Sequence, residues 1–255
     1  MSGILEAALW GFIGASALIV GALLAFAFDI PVRVRGLIQA FGAGVLFGAV
    51  AYELVEEAVK QHAGGFAVGI GFGLGGLVFF VGSVLIDSIG SSGSSGADSA
   101  AGDGTAAGGS RRSAGLAILL GTVLDGIPES LVLGLSFVPG AGVALPILLA
   151  IFISNVPEAL SATEDLAESG YSRARILGTW VAVAVSSAAA AGLGFAMLDV
   201  VGMRLIVATQ AFAAGALLAM LAESMIPEAY ETGGRPVGLA TCLGFAVAAG
   251  MSLQP

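Results

Sequence analysis

The sequence predicts an all-α polytopic membrane bundle of about eight transmembrane helices, and three observations predict it. The chain is 57% hydrophobic and only 11% charged, against about 25% charged residues in a soluble domain. Its mean hydropathy is +1.00. Apolar runs of about twenty residues, the length that crosses a bilayer, recur along it between polar breaks. At 255 residues that is one transmembrane domain, 1–255, rather than a string of domains.

The helices are expected, in order, over 4–28, 35–60, 66–89, 114–137, 142–168, 173–198, 203–230 and 236–254. The first has no basic region ahead of its apolar run and carries Glu6 in its opening turns, so it reads as a span rather than a cleaved signal. Turn chemistry marks the breaks: Asp29-Ile30-Pro31, Gly64-Gly65, Pro139-Gly140, Gly170 and Gly233-Gly234. Glycines from Gly69 to Gly76 mimic a dinucleotide loop, but no strand precedes them and they lie within a span, so they read as close helix packing. The stretch 91–112 is Ser, Gly, Ala and Asp without a large apolar residue. Such a composition cannot offset the entropy of ordering, which predicts a flexible loop between the third and fourth helices.

Basic residues fix the expected orientation. Of the nine Lys and Arg, Arg33 and Arg35 fall in the first loop, Arg111 and Arg112 in the third, Arg173 and Arg175 in the fifth, and Arg235 in the seventh. Only Lys60 and Arg204 lie by even-numbered loops. The positive-inside rule then makes the odd loops cytoplasmic, the 91–112 loop included, and puts both termini outside. The net charge of −9 says little about the surface, because several acids lie inside spans. No basic patch or aromatic-basic interleaving argues for nucleic acid. Cys242, the one cysteine, excludes an internal disulfide and a thiolate metal cluster and reads as a packing residue.

Two internal similarities stand out. Phe41-Gly-Ala-Gly-Val-Leu-Phe through Glu57-Ala58 resembles Phe212-Ala-Ala-Gly-Ala-Leu-Leu through Glu228-Ala229, and the fourth and fifth helices share a Pro-Glu segment. Each pair would cross the membrane in opposite directions, the pattern of inverted-repeat transporters.

The chemistry is carried by those Pro-Glu segments, Asp125-Gly126-Ile127-Pro128-Glu129 and Ser154-Asn155-Val156-Pro157-Glu158. A carboxylate near mid-membrane costs about 2.5–3.5 kcal/mol even on the insertion scale. Asp125 and Glu129 are one turn apart on one face, and in low dielectric they must share a cation or a proton. Pro128 and Pro157 have no N–H, which frees the carbonyls of Leu124 and Ile153. With the two helices side by side, three carboxylates, the Asn155 amide, the Ser154 hydroxyl and two carbonyls converge. All are oxygen donors, the set that hard and borderline divalent cations prefer. The expected metal ligands are therefore Asp125, Glu129, Asn155 and Glu158. Ser154, Glu53, Glu57 and Glu223 are candidates for a further ligand or for the ion path. Glu56 and Glu231 read as solvated at the water boundary, a reading that also stands for Glu57 and Glu228. His62 reads as a loop histidine, and Glu164, Asp165 and Glu168 as a hydrated inner face.

On these residues the chain resembles the ZIP family of metal-ion transporters, whose fourth helix typically carries His-Asn-x-Pro-Glu-Gly and whose fifth ends a related motif in Pro-Glu. The resemblance implies eight helices, outward termini, a long inner loop after the third helix, and uptake of a divalent metal of the zinc, iron or manganese class into the cytoplasm by alternating access. Asp125 stands at the family's histidine position, Gly126 at its asparagine and Glu129 at its glutamate. An all-oxygen site suits zinc less than a histidine-bearing one and manganese, iron or magnesium relatively more. Helix 6 offers Ser186 and Ser187 but no acid, so a second metal position looks degraded.

The alternative is a proton- or sodium-linked carrier of another solute that uses the same acids as a relay. An intramembrane aspartyl protease would need a second central aspartate, and Asp87 and Asp199 lie near helix ends, so no enzyme is expected. The expected setting is the cell membrane, with the metal as cargo rather than cofactor. The partners are the ion and the lipid bilayer, and small-residue stripes leave room for a homodimer.

Overall fold

The computed structural model describes residues 3–55, 65–92, 104–137, 145–200 and 203–252. Among them every regular element is helical. Eight rods follow one another: α1 Gly3–Ala27, α2 Val32–Val55, α3 Gly65–Ser92, α4 Gly104–Leu135, α5 Leu145–Glu168, α6 Arg173–Val200, α7 over 203–233, and α8 Val237–Ser252. The first seven contain stretches long and apolar enough to cross a membrane, while α8, with 16 residues, is a shorter apolar helix. The chain is thus a polytopic helix bundle.

One expected boundary differs. The 91–112 loop is helical at both ends, since α3 runs to Ser92 and α4 begins at Gly104. Helix propagation is easier than nucleation, so an established span extends through alanines such as Ala106 and Ala107 even where the composition would not start a helix. Residues 93–103 between them, and 56–64 after α2, lie outside the described residues.

Small residues set the packing. α1 lies against α5 and α6, α2 against α8 and α5, α3 against α7 and α4, and α4 also against α6. At the α2–α8 seam a Cβ on Gly44 would strike the backbone carbonyl of Thr241, and one on Gly244 would strike that of Phe41. The α3–α7 seam repeats this reciprocal contact: Gly75 abuts the carbonyl of Phe212, and Gly215 that of Phe72. Both are backbone-to-backbone approaches that only a missing side chain allows.

Two π-helical turns interrupt the rods, Val50–Val55 in α2 and Leu221–Met225 in α7. Val50 is six residues past Gly44, and Leu221 six past Gly215. In α7 the cause is local. Pro227 has no N–H for the Glu223 carbonyl, and the Ile226 N–H reaches back to the Leu221 carbonyl, one residue further than an α-helix would. Val50–Val55 holds no proline, and its π register has no such local cause.

Three contacts fix which helix ends lie together. Arg35 at the start of α2 pairs with Glu164 near the end of α5. Gln39 donates to Glu228, near the end of α7, at 2.8 Å. The Arg173 guanidinium at the start of α6 lies 5.2 Å from the ring centre of Phe26, at the end of α1. The first, fifth and seventh connections therefore share one arginine-rich end, as alternate crossing requires.

Candidate cation site

Asp125 and Glu129 sit on α4, Asn155 and Glu158 on α5, and both helices run unbroken through Pro128 and Pro157. Glu129 is 2% exposed and Asn155 5%, so these groups are out of reach of solvent; Asp125 and Glu158 are half-buried. The two helices face each other through these residues. Asn155 lies beside the Glu129 side chain and Thr122 beside that of Glu158, while the Thr122 hydroxyl donates to the Ile118 carbonyl at 3.2 Å. Asp125 stands within electrostatic range of Glu129 and Glu158, so the three carboxylates lie in one region of the bundle. A fourth, Glu228 of α7, acts on both Asp125 and Glu158.

The convergence is loose. Among the described residues no three His, Cys, Asp or Glu side chains stand close enough together to hold a metal ion. In a low dielectric, acids this near one another must share a proton or a cation. The Glu129 Oε1 is buried without a hydrogen-bond partner among the described residues. Beyond it lies an apolar void of ≈ 10 Å³ walled by Leu46, Val50, Leu54, Val132 and Ile151, at the lower limit for one water. An unpaired buried oxygen of this kind costs about 1–3 kcal/mol.

The other expected residues divide. Ser154 is buried and donates its hydroxyl to the Ile151 carbonyl at 3.0 Å, and Gly42 of α2 packs on its Cα. Glu223 is exposed and accepts a hydrogen bond from Ser83 at 3.2 Å. Glu53 is half-buried on the π turn of α2 and is not brought into the cluster. Glu57, with Glu56, Lys60 and His62, lies outside the described residues. Ser187 is buried 3.7 Å from where a Cβ on Gly126 would stand, while Ser186 is exposed and bonds the Ala182 carbonyl.

Two residues near the site were not singled out from the sequence. Thr122 lies one turn before Asp125 on the same face, a spacing that could have marked it. Gln39 is a lone amide in a glycine-rich apolar run, an expensive choice that was itself a signal. The chain matches no protein-family model and no curated protein.

Proposed function

We propose that this protein carries divalent metal cations of the zinc, iron or manganese class across the cell membrane into the cytoplasm, as a ZIP-like transporter would. Asp125, Glu129, Asn155 and Glu158 hold the ion. The observation that carries this reading is the buried, unpartnered Glu129 oxygen beside Asp125, Asn155 and Glu158. A dication would supply the missing partner and draw the separated carboxylates together. The donors are all oxygen, which suits manganese or iron better than zinc. Because protons compete with a metal for carboxylates, uptake weakens at acid pH. The matching α2–α8 and α7–α3 seams, each followed by a π turn, are what an inverted repeat would leave. They support alternating access with the arginine-rich end inside and both termini outside.

The test is uptake into protein-loaded vesicles across a panel of divalent ions, comparing the parent with Glu129→Ala and Glu158→Ala. Loss in both variants is expected, and equal transport in all three would remove the site. The spacing of the carboxylates keeps a second reading in view, a proton- or sodium-linked carrier of another solute. Proton movement that does not depend on any metal would favour it.

A further inference from the structure

Resting on that reading, we infer that a water-filled vestibule between α3, α4 and α7 is the route by which a hydrated divalent cation passes between Asp125 and the arginine-rich end. A cleft of ≈ 280 Å³ lies there, lined among others by Phe79, Ser83, Asp87, Gly121, Asp125 and Ser224. One water needs only about 10–15 Å³ on the same measure. Divalent ions such as magnesium give up their water reluctantly, so a passage with room for several waters is what such cargo requires.

The order of the lining gives the cleft a direction. α3 and α4 run antiparallel, with Gly82 of α3 packed on Leu124 of α4. Along α3 the lining runs from Phe79 through Ser83 to Asp87, and along α4 from Asp125 through Gly121 to Ile118. It therefore leads from mid-span toward the end of α3 and the start of α4. That is the end where α5 finishes, because Ile118 and Leu119 of α4 pack in one cluster with Leu166 near the end of α5 and Ile176 near the start of α6. Polar groups are spaced along it: exposed Asp87 at the mouth, Ser83 and Ser224 midway, and Asp125 at the inner end. Among the described residues none that lines it is basic. The unpartnered Glu129 oxygen lies one turn beyond Asp125.

Two other ways past the site are obstructed among the described residues. Between α2, α5 and α7 the same end is tied by Arg35–Glu164 and Gln39–Glu228. Toward the opposite end Glu129 meets, among the described residues, the apolar wall of Leu46, Leu54, Val132 and Ile147.

Gly121 makes the vestibule testable, because a Cβ there would meet nothing within 4 Å. In a Cys242→Ser background, Gly121→Cys and Ser224→Cys are compared with Leu77→Cys, whose parent side chain is 56% exposed on the apolar span α3. A charged, membrane-impermeant thiol reagent is applied to sealed vesicles of each orientation. The thiolate is the reacting form and an apolar setting suppresses it. The two vestibule cysteines are thus expected to react about tenfold or more faster than Leu77→Cys, and only from the arginine-rich side. Rates no faster than that of Leu77→Cys, or labelling only from the opposite side, overturn the vestibule. Manganese is expected to slow labelling of Ser224→Cys, and labelling indifferent to manganese overturns the cation route. Labelling needs no transport, so these outcomes are read separately from the uptake of Glu129→Ala, on which the site itself stands.

Discussion

Replacing Glu129 by Gln separates a side chain kept for its ligand from one kept for the fold. The two residues have nearly the same shape, and Gln can still stand beside Asn155. Carrying a charge at this depth costs about 2.5–3.5 kcal/mol, and Gln carries none. The unpartnered Oε1 offsets nothing. In the empty protein the substitution is therefore expected to be neutral where Glu129 holds a proton, and to stabilise by at most about 2.5–3.5 kcal/mol where it is charged. With metal at about a hundred times its dissociation constant, the parent gains about 2.7 kcal/mol. For a chain of this size that is a rise of about 5–10 °C in Tm, at about 2–4 °C per kcal/mol. The variant should show almost none of it. The assay is a thermal melt of detergent-solubilised protein with and without manganese. A variant that melts well below the empty parent would make Glu129 a structural residue. An undiminished manganese shift in the variant would remove it from the ligand set.

Three further outcomes are expected. Gly75→Ala drives a Cβ into the Phe212 carbonyl and should destabilise by about 1–3 kcal/mol. Gly73→Ala, with nothing within 4 Å, should be neutral or gain up to about 1 kcal/mol, and equal melting temperatures for the two would refute the close seam. Gln39→Ala removes the 2.8 Å bond to Glu228 and should lower stability by about 1–3 kcal/mol. Gln39→Glu, which sets like charges together, should cost more, and a parent-like melt for Gln39→Glu would show that the pair is not engaged. Pro227→Ala restores an N–H for the Glu223 carbonyl and should turn the Leu221–Met225 π turn back to α-helix. It is expected to raise the melting temperature while lowering uptake, and undiminished uptake would show that the π turn plays no part in transport.

The parts of this molecule visible in the sequence are those whose cause is local. Hydropathy marks the spans because a bilayer demands about twenty apolar residues in a row. Asp125, Glu129 and Glu158 stand out because acids and prolines are rare there. The start of α4 was hidden because Gly104 to Arg112 has a loop's composition and is carried into the helix by the span beyond it. The Gln39–Glu228 bond joins residues 189 positions apart, and no local rule sets that register. Glu228 reads from its surroundings as an acid at the water boundary. It is exposed, yet it accepts from Gln39 and acts on Asp125 and Glu158. The π turn of α7 could be foreseen from Pro227, but that of α2 could not, for want of any proline.

The twin seams constrain how such a bundle can move. Gly44 with Gly244, and Gly75 with Gly215, bring backbone against backbone, and packed contacts of this kind switch between discrete arrangements rather than stretching. A rocking motion that opened either seam would forfeit its contacts outright. A motion that keeps both seams must carry α2 with α8, and α3 with α7, as pairs, and bend where a helix is already loosened. The two π turns meet that need, since each lies six residues past an interlocking glycine and π turns are recurrent sites of functional bending. Both also neighbour the acids: Glu53 and Glu223 lie within them, and Val50 and Leu54 wall the void beside Glu129. A change of register there would move the wall beside Glu129 and the Glu223–Ser83 contact beside the cleft without disturbing either seam.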